Sequence, residues 1–323
     1  MKAIRFARTG GPEVLALEDI DLPAPRAGEV RVRHTAIGVN FIDTYHRCGL
    51  YPVSLPSGIG LEGAGVVEEV GDGVTAFRKG DHAAYCTGPL GAYAEANNVP
   101  ADRLVKIPSG IAGETAAASL LKGMTAQYLL KRTYSVQHGQ TILFHAAAGG
   151  VGSIACQWAK HLGATVIGTV GSDEKVALAK ANGCAHVLNT GSDAWSRRVR
   201  EITGGAGVPV VYDSVGKDTF AGSLDCLAVR GMMVSFGNSS GAVPAFEPGT
   251  LSAKGSLYLT RPMLFHYTRS AKELQETAED LFAVLLSGAV KIAVHQRFPL
   301  AEARRAHEAL HSRATTGATV LIP

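Results

Sequence analysis

The stretch that decides the fold is Thr141-Ile-Leu-Phe-His145-Ala-Ala-Ala-Gly-Gly-Val-Gly152. It begins with a short apolar run, which is typical of a buried strand, and continues into a glycine-rich loop. Beyond the loop, apolar residues recur at helical spacing until Gly163 supplies a stop signal. A strand, a glycine-rich loop and a helix in this order predict a dinucleotide-binding unit.

The loop predicts how the phosphates of a dinucleotide are held. Gly149 lets the backbone approach a pyrophosphate closely, and Gly152, where we expect the helix to begin, lets helix and strand pack closely. Free N–H groups and the dipole at that helix end favour phosphate. The expected contacts are Ala147, Gly149, Gly150, Val151 and Gly152. Ala147 departs from the usual pattern by replacing the first glycine, and a glycine-rich turn that binds nothing is the competing interpretation.

The end of the second strand discriminates between cofactors. Enzymes that use NAD place an acidic residue there, about 20 residues beyond the glycines, to bind the ribose 2′-hydroxyl. Here the strand Ala164–Val170 leads into Gly171 and Ser172, with no acid at its tip. We expect a 2′-phosphate against these two residues, with Lys175 supplying positive charge, and therefore NADPH as the cofactor. Asp173 is interpreted as an acid that complements a helix dipole, and it leaves NAD open as the alternative.

Strand and helix patterns divide the chain. Up to about Leu120, short runs alternate apolar and charged residues between glycines and prolines, as in a compact β-barrel. From Thr125, strands and helices alternate, which predicts a parallel, doubly wound sheet. We therefore predict an α/β protein with a barrel domain over 1–122 and a dinucleotide-binding domain over 123–261. A C-terminal segment over 262–323 is expected to return to the first domain.

The composition limits the function classes. The 323 residues are 46% hydrophobic and 18% charged, with a formal net charge of +3. These values suit an α/β enzyme and require no nucleic-acid partner. The five cysteines stand singly, which favours a reducing, cytoplasmic compartment. We expect no signal peptide, because the stretch Met1–Gly10 lacks an apolar h-region. We expect no membrane span, because no apolar stretch approaches about 18 residues.

Several stretches are similar to a known family at matching spacing. They are Gly139-Gln140, Leu143, Ala147–Gly150, Gly152, Gln157, Lys160, Asn40–Tyr45, Gly60–Gly65, Tyr212–Gly216 and Ser235–Gly241. Together they resemble the quinone oxidoreductase (zeta-crystallin) group of the medium-chain dehydrogenase/reductase superfamily, and its bacterial NADPH:quinone reductases most. The resemblance covers essentially the whole chain. It implies a GroES-like β-barrel catalytic domain, a Rossmann-type domain, a cleft between them and a homodimer.

The same superfamily contains zinc alcohol dehydrogenases, whose metal ligands are cysteine and histidine. This chain has Asn40 where the resemblance predicts a ligand cysteine, and Leu61 before Glu62 where it predicts a ligand histidine. It also lacks four closely spaced cysteines for a structural zinc. We therefore predict no metal site.

The resemblance implies further site residues. Asn40 and Tyr45 would line the nicotinamide end as catalytic residues, with Tyr45 either donating a hydrogen bond to a substrate carbonyl or packing against the ring. Thr190 stands where relatives can have a tyrosine that helps bind the 2′-phosphate, which predicts either weaker NADPH binding or a weaker preference for NADPH over NADH. The other implied cofactor contacts are Phe41, Ser214, Phe236, Gly237, Ser239 and Arg313.

These features predict a zinc-independent enzyme that reduces quinones by hydride transfer from NADPH. Its expected partners are a small-molecule quinone and a second copy of the chain. The alternative reaction is NADPH-dependent reduction of an activated C=C bond in an enone or alkenal. An alternative of a different class is a non-catalytic NADPH-binding protein with a structural or RNA-binding role, and the modest charge counts against RNA.

Overall fold

The computed structural model describes residues 1–191, 194–312 and 315–323. The chain divides into two compact units. Unit 1 comprises Met1–Met124, Thr268–Ser287 and Ile292–Pro323, and unit 2 comprises Thr125–Tyr267 and Gly288–Lys291. The domain boundaries drawn from the sequence, at 122/123 and 261/262, stay a prediction.

Strands and helices follow one another in an order that differs between the units. The described strands are β1 Lys2–Phe6, β2 Ala16–Asp19, β3 Glu29–Val39, β4 Ser57–Gly58, β5 Glu62–Val70, β6 His82–Tyr85, β7 Ala96–Pro100, β8 Val105–Lys106, β9 Thr141–Phe144, β10 Thr165–Val170, β11 His186–Asn189, β12 Val208–Asp213, β13 Leu227–Ser235, β14 Tyr258–Thr260, β15 Val294–Pro299 and β16 Ala318–Ile322. The described α-helices are α1 Phe41–Cys48, α2 Gly113–Tyr128, α3 Gly150–His161, α4 Val176–Ala181, α5 Trp195–Ile202, α6 Phe220–Cys226, α7 Gly249–Ala253, α8 Leu264–Tyr267, α9 Ala271–Leu286 and α10 Ala303–His311.

Unit 1 is built mainly on antiparallel strands. Its larger sheet has the order β15-β16-β3-β5-β6-β8, with β7 also paired to β3, and a smaller sheet has the order β2-β1-β4. The alternation along β3 explains its place, because Val30 and Val32 are fully buried while Arg31 and Arg33 form ion pairs with glutamates of β5. The C-terminal strand β16 pairs antiparallel with β3 through Thr319 opposite Val39.

The helix α2 corrects one expectation from the sequence. It starts at Gly113, so the β-type region ends before Leu120. An acid in the first turn, Glu114, and the alanine run Ala116–Ala118 both favour helix at this point.

Unit 2 contains a parallel sheet with the strand order β11-β10-β9-β12-β13-β14. Helices connect successive strands, and apolar residues of both form its core, among them Leu143, Ile167, Val211 and Met233. The order reverses between β9 and β12, and such a switch point is where parallel sheets bind ligands, at the carboxyl ends of the strands. The doubly wound parallel sheet predicted from the sequence is confirmed.

Over the described ranges, no helix combines the length and the apolar character needed to cross a bilayer.

Candidate functional site

The glycine-rich loop leads directly into α3. The helix begins at Gly150, with Gly149 as an extended N-cap (φ −81°, ψ 178°), so the predicted start at Gly152 is wrong by two residues. Gly149 can serve as the cap residue itself, and Val151 and Gly152 therefore lie in the first helical turn. The first N–H groups of a helix lack intrahelical acceptors. This helix end thus has the geometry that binds phosphate.

Glycine at position 152 is required by the path of the loop. A Cβ there would lie 2.2 Å from the carbonyl oxygen of Ala146 and 2.8 Å from the Cα of Ala147. Ala146 itself has a left-handed backbone (φ 53°), which turns the chain sharply out of β9. Gly152 therefore packs the helix closely against the loop that follows β9, and the helix–strand packing expected for it stays a prediction.

The structure also explains why alanine is tolerated at position 147. The methyl group of Ala147 is fully buried, and its N–H donates to the carbonyl oxygen of Thr169 in β10 (2.8 Å). The neighbouring β10 residue is Gly168, where a Cβ would lie only 2.8 Å from the Cβ of Ala147. Because Gly168 has no side chain, there is room for the methyl group of Ala147.

The carboxyl end of β10 holds the residues expected at the adenosine ribose. Gly171 faces open space, since a Cβ there would meet no atom within 4 Å, and Ser172 caps a short 3-10 turn, Asp173–Lys175. On the adjacent strand, the N–H and the hydroxyl of Thr190 both donate to the carbonyl oxygen of Val170 (2.9 and 3.2 Å). Gly171, Ser172, Lys175 and Thr190 thus follow neighbouring strand ends, and their role as 2′-phosphate contacts stays a prediction.

The loops after β12 and β13 pack backbone against backbone. Phe236 N–H donates to the carbonyl oxygen of Asp213 (2.8 Å), and Ser239 N–H donates to that of Ser214 (3.1 Å). A Cβ at Gly237 would lie 2.5 Å from the carbonyl oxygen of Ser214, so glycine is needed there. Ser214, Phe236, Gly237 and Ser239 therefore form one surface at the carboxyl edge of the sheet, and their contact with a cofactor stays a prediction.

A buried hydrogen-bond chain that sequence reasoning missed supports these loops. His145 is fully buried, and burial lowers its pKa, so the ring is neutral at pH 7. The ring contacts the hydroxyls of Thr169 (2.8 Å) and Ser223 (2.9 Å). Ser223 and Thr219 donate their hydroxyls to one oxygen of Asp213 (3.0 and 2.7 Å).

The other oxygen of Asp213 holds the following turn. It accepts the N–H groups of Val215 (2.7 Å) and Gly216 (3.0 Å). A carboxylate with four donors in a fully buried position has a structural role. His145 and Asp213 therefore fix the loops that follow β9 and β12.

In unit 1, the candidate catalytic residue Asn40 lies in a buried cluster with two charged residues. Its Nδ2 donates to Oε2 of Glu62 (2.7 Å), which also pairs with Nζ of Lys122 (3.3 Å). The other carboxylate oxygen accepts the N–H of Leu121 (2.6 Å). A Cβ at Gly38 would lie 2.1 Å from Oε2, so only glycine leaves room for this carboxylate. Asn40 is thereby held in one orientation by a buried ion pair.

A second buried chain ends on Asp43, in the first turn of α1. Oδ2 of Asp43 accepts the N–H of Asn40 (2.8 Å) and the hydroxyl of Tyr93 (2.9 Å). Tyr93 also contacts Nε2 of His307 (3.0 Å), whose Nδ1 faces the guanidinium of Arg47 (2.9 Å). An arginine can only donate, so Nδ1 of His307 is the acceptor and Nε2 carries the proton.

The charge states in this chain follow from burial. Burial lowers the pKa of His307 to about 3, so its ring is neutral. Burial raises the pKa of Asp43 to about 7, although the bonds from Asn40 and Tyr93 act in the opposite direction. The atom Oδ1 of Asp43 is buried and has no hydrogen-bond partner among the residues that the structure describes. Asp43 is therefore a half-satisfied carboxyl beside a candidate catalytic residue.

Tyr45 and Phe41 lie on the same helix. The rings of Tyr45 and Tyr51 meet edge to face with centroids 5.4 Å apart, and both Phe41 and Tyr45 are half-buried. Tyr45 therefore packs against Tyr51, and both its hydrogen bond to a substrate and its packing against the nicotinamide ring stay predictions. Arg313, the remaining predicted cofactor contact, lies outside the described residues.

Several residues of the unit 1 clusters were not found from the sequence. Lys122 carries one usable signal, because it is a single charge within the apolar helical run Ala116–Met124. His307 and Tyr93 carry none, because they are brought to Asp43 from distant parts of the sequence. A search for three or more histidine, cysteine, aspartate or glutamate residues able to hold a metal found none in the described ranges.

Comparisons with known proteins agree with this architecture. Residues 26–109 match the family model of the alcohol dehydrogenase GroES-like domain, and residues 150–282 match that of zinc-binding dehydrogenases. A quinone oxidoreductase of Pseudomonas aeruginosa is 56% identical, over 100% of this chain and 99% of its own length. A 2-haloacrylate reductase of a Burkholderia species is 47% identical, over 98% of this chain and 97% of its own length.

A solved structure extends these matches to three dimensions. The crystal structure of Escherichia coli quinone oxidoreductase complexed with NADPH superposes with a TM-score of 0.98 at 51% identity, covering 100% of both chains. The predicted GroES-like and Rossmann-type fold and the predicted family are both confirmed. The chain therefore belongs to the quinone oxidoreductase group of the medium-chain dehydrogenase/reductase superfamily.

Proposed function

We propose that this enzyme reduces quinones with NADPH and without zinc. The observation that carries the proposal is the phosphate-binding geometry of the loop Ala146–Gly152, joined to a second strand with no acid at its tip. Related proteins support the same function. Proteins more than 50% identical to this chain are named quinone oxidoreductases, and the structure of one of them was solved with NADPH.

The residues of unit 2 fit a dinucleotide. The N–H groups of Gly150, Val151 and Gly152 would hold the pyrophosphate at the start of α3. The N–H groups of Ala147 and Gly149 are already bonded to Thr169 and Ala146, so these two residues would contribute close backbone approach only. Glycine at position 152 lets the first turn of α3 pack against the backbone of Ala146 and Ala147. Gly171, Ser172 and Lys175 hold the 2′-phosphate, and Thr190 lies beside them without the ring that a tyrosine would supply.

The residues of unit 1 act on the acceptor. NADPH, when bound, would supply the hydride, and no strong acid is needed because the product is an aromatic hydroquinone monoanion that takes its proton from water. Tyr45 donates a hydrogen bond to the acceptor carbonyl, and the amide of Asn40 orients the nicotinamide end. The ion pair of Glu62 and Lys122 keeps that amide in place.

Independence from zinc is supported by what surrounds Glu62. Its carboxylate already receives Asn40, Lys122 and the N–H of Leu121, and the ammonium of Lys122 supplies the local positive charge. Leu61, in place of a ligand histidine, offers no donor atom to a metal.

A steady-state assay tests the proposal. We expect oxidation of NADPH with a benzoquinone and a naphthoquinone, unaffected by a chelator. The substitution Tyr45→Phe should lower kcat/KM for the quinone by about tenfold, the worth of one hydrogen bond to a developing oxyanion. Turnover that is lost on chelation, or no turnover with any quinone, contradicts the proposal.

Reduction of an activated C=C bond is the second candidate. A specific observation favours it, namely the 47% identity to a 2-haloacrylate reductase. A 2-alkenal and a 2-haloacrylate therefore belong in the same assay. Turnover of these compounds without turnover of quinones favours the second candidate, and binding of NADPH without any turnover favours a non-catalytic role.

We also propose that the enzyme is a cytoplasmic homodimer. Its cysteines are unpaired, as in a reducing compartment.

The last strand in the order of the unit 2 sheet is β14, where Tyr258 is 60% exposed, and nearby Val229 is 74% exposed. An exposed apolar strand edge is a surface that a second copy covers. Sedimentation should show a dimer, and Tyr258→Lys should shift the mass toward the monomer.

A further inference from the structure

Asp173 is difficult to reconcile with a 2′-phosphate. It lies about 20 residues beyond the loop glycines, which is where NAD-binding folds place their acid for the ribose 2′-hydroxyl. It is exposed, in the first position of the 3-10 turn that follows β10. A phosphate monoester carries a charge of about −1.5 to −2 at neutral pH. A free carboxylate at this place would repel it.

The carboxylate is held by an asparagine of the adjacent strand. Nδ2 of Asn189 donates to Oδ1 of Asp173 (2.9 Å). The two strand ends are in register, because Val170 lies opposite Asn189 in the parallel pair of β10 and β11. The bond therefore joins the end of β11 to the turn that follows β10.

The amide of Asn189 has only one orientation available. Its Oδ1 accepts the backbone N–H of Gly191 (2.9 Å). An amide turned by 180° would place NH₂ against that N–H and its oxygen against the carboxylate, so both bonds would be lost. In the orientation that makes both bonds, the NH₂ group faces Asp173.

We propose that Asn189 is a specificity-determining residue that favours NADPH over NADH by acting through Asp173. Its amide partly offsets the negative charge and keeps Oδ1 from accepting a ribose 2′-hydroxyl. Without this contact, the carboxylate would turn toward the ribose, strengthening NADH binding and weakening NADPH binding. The inference rests on the NADPH preference within the proposed function, and it is independent of the acceptor.

Equilibrium binding tests the inference without turnover. Dissociation constants for NADPH, NADH, 2′,5′-ADP and 5′-AMP are measured by calorimetry on the full chain. The substitution Asn189→Leu should raise the ratio Kd(NADPH)/Kd(NADH) by about fivefold, a magnitude expected for one charge contact near the surface. Asp173→Asn should lower the same ratio, and the fragments 2′,5′-ADP and 5′-AMP should follow the two dinucleotides.

The double variant shows whether Asn189 acts through Asp173. In the Asp173→Asn background, Asn189→Leu should leave the ratio unchanged. The effect of Asn189→Leu in the wild-type background should also shrink in 1 M salt, where charges are screened beyond about 3 Å. Glu201→Gln is the matched control, because it removes one exposed carboxylate of unit 2 at the far end of α5 and should leave the ratio unchanged.

Three results would overturn the inference. The first is a ratio Kd(NADPH)/Kd(NADH) that Asn189→Leu leaves unchanged. The second is a change in this ratio that is equally large in the Asp173→Asn background and in the wild-type background. The third is that neither dinucleotide binds to the wild type. A shift in the ratio together with no quinone turnover would support the inference and contradict only the quinone part of the proposed function.

Discussion

Each unit contains a buried chain that runs from a histidine through a hydroxyl to an aspartate, and the two chains end differently. In unit 2, His145 contacts Ser223, which donates to Asp213, and both oxygens of that carboxylate are filled by neutral donors. In unit 1, His307 contacts Tyr93, which donates to Asp43. There the second oxygen is buried without a partner among the described residues.

The difference indicates that the role of a buried aspartate depends on the number of hydrogen-bond donors around it, rather than on the types of residue in its chain. Asp213 receives two N–H groups and two hydroxyls, and it fixes the turn that follows β12. Asp43 receives only two donors, and burial raises its pKa to about 7. One carboxylate is therefore a fixed structural element, while the charge of the other responds to pH near neutrality.

The largest expected effect concerns the buried cation next to Asp43. Glu62→Gln would turn an NH₂ group toward Asn40 and Lys122 and leave the ammonium buried without its counter-ion. We expect the free energy of unfolding to fall by about 3–5 kcal/mol. Chemical denaturation measures this fall.

Two variants control the Glu62 prediction. Asp19→Asn removes an exposed partner of Lys2 and should change the unfolding midpoint very little. The double variant Glu62→Gln/Lys122→Met should recover part of the loss, because it removes the unpaired charge. If the free energy of unfolding of Glu62→Gln equals that of the wild type, the ion pair of Glu62 and Lys122 does not hold Asn40 in place.

A smaller effect is expected for the carboxylate of unit 2. Asp213→Asn can direct its NH₂ group toward Ser223 and Thr219, whose hydroxyls rotate to accept, while its oxygen keeps the N–H groups of Val215 and Gly216. We expect a loss of about 1–2 kcal/mol in the free energy of unfolding. A loss as large as that of Glu62→Gln would break the contrast between a carboxylate held by neutral donors and one paired with a buried cation.

The remaining effect, a gradual one, is a pH dependence from Asp43. Its pKa is about 7 in the folded protein and 3.8 when unperturbed, so the folded state holds the proton more tightly. The resulting stabilisation is fully present below pH 3.8 and is lost as the pH rises toward 7. The groups that face the carboxyl are Asn40, Tyr93, Lys122 and Glu62.

The comparison of wild type with Asp43→Asn isolates this contribution. Between pH 4 and pH 7 we expect the stability of the wild type to fall relative to the variant, by up to about 1.4 kcal/mol per pH unit. The buried histidines His34 and His307, whose pKa values are lowered to about 4 and about 3, have the opposite trend and are present in both proteins. Parallel stability curves for the two proteins would show that Asp43 does not titrate in this range.

The sequence alone was sufficient for the features that depend on local pattern. The run Thr141–Gly152 predicts strand, loop and helix, because apolar periodicity and glycine spacing are properties of neighbouring residues. The start of α3 was misplaced by two residues, because Gly149 and Gly150 differ in backbone conformation but not in type. The family followed from motifs spread along the chain.

Only the tertiary structure decided which polar groups meet. His307 reaches Tyr93 across 214 residues, Glu62 reaches Lys122 across 60, and Asn189 reaches Asp173 across 16. Sequence spacing cannot predict such contacts, because they depend on strand order and on burial. The dinucleotide-binding unit of this protein can therefore be predicted from a stretch of 12 residues. The charge states of its buried groups, and the contact that restrains Asp173, arise only when distant segments exclude water together.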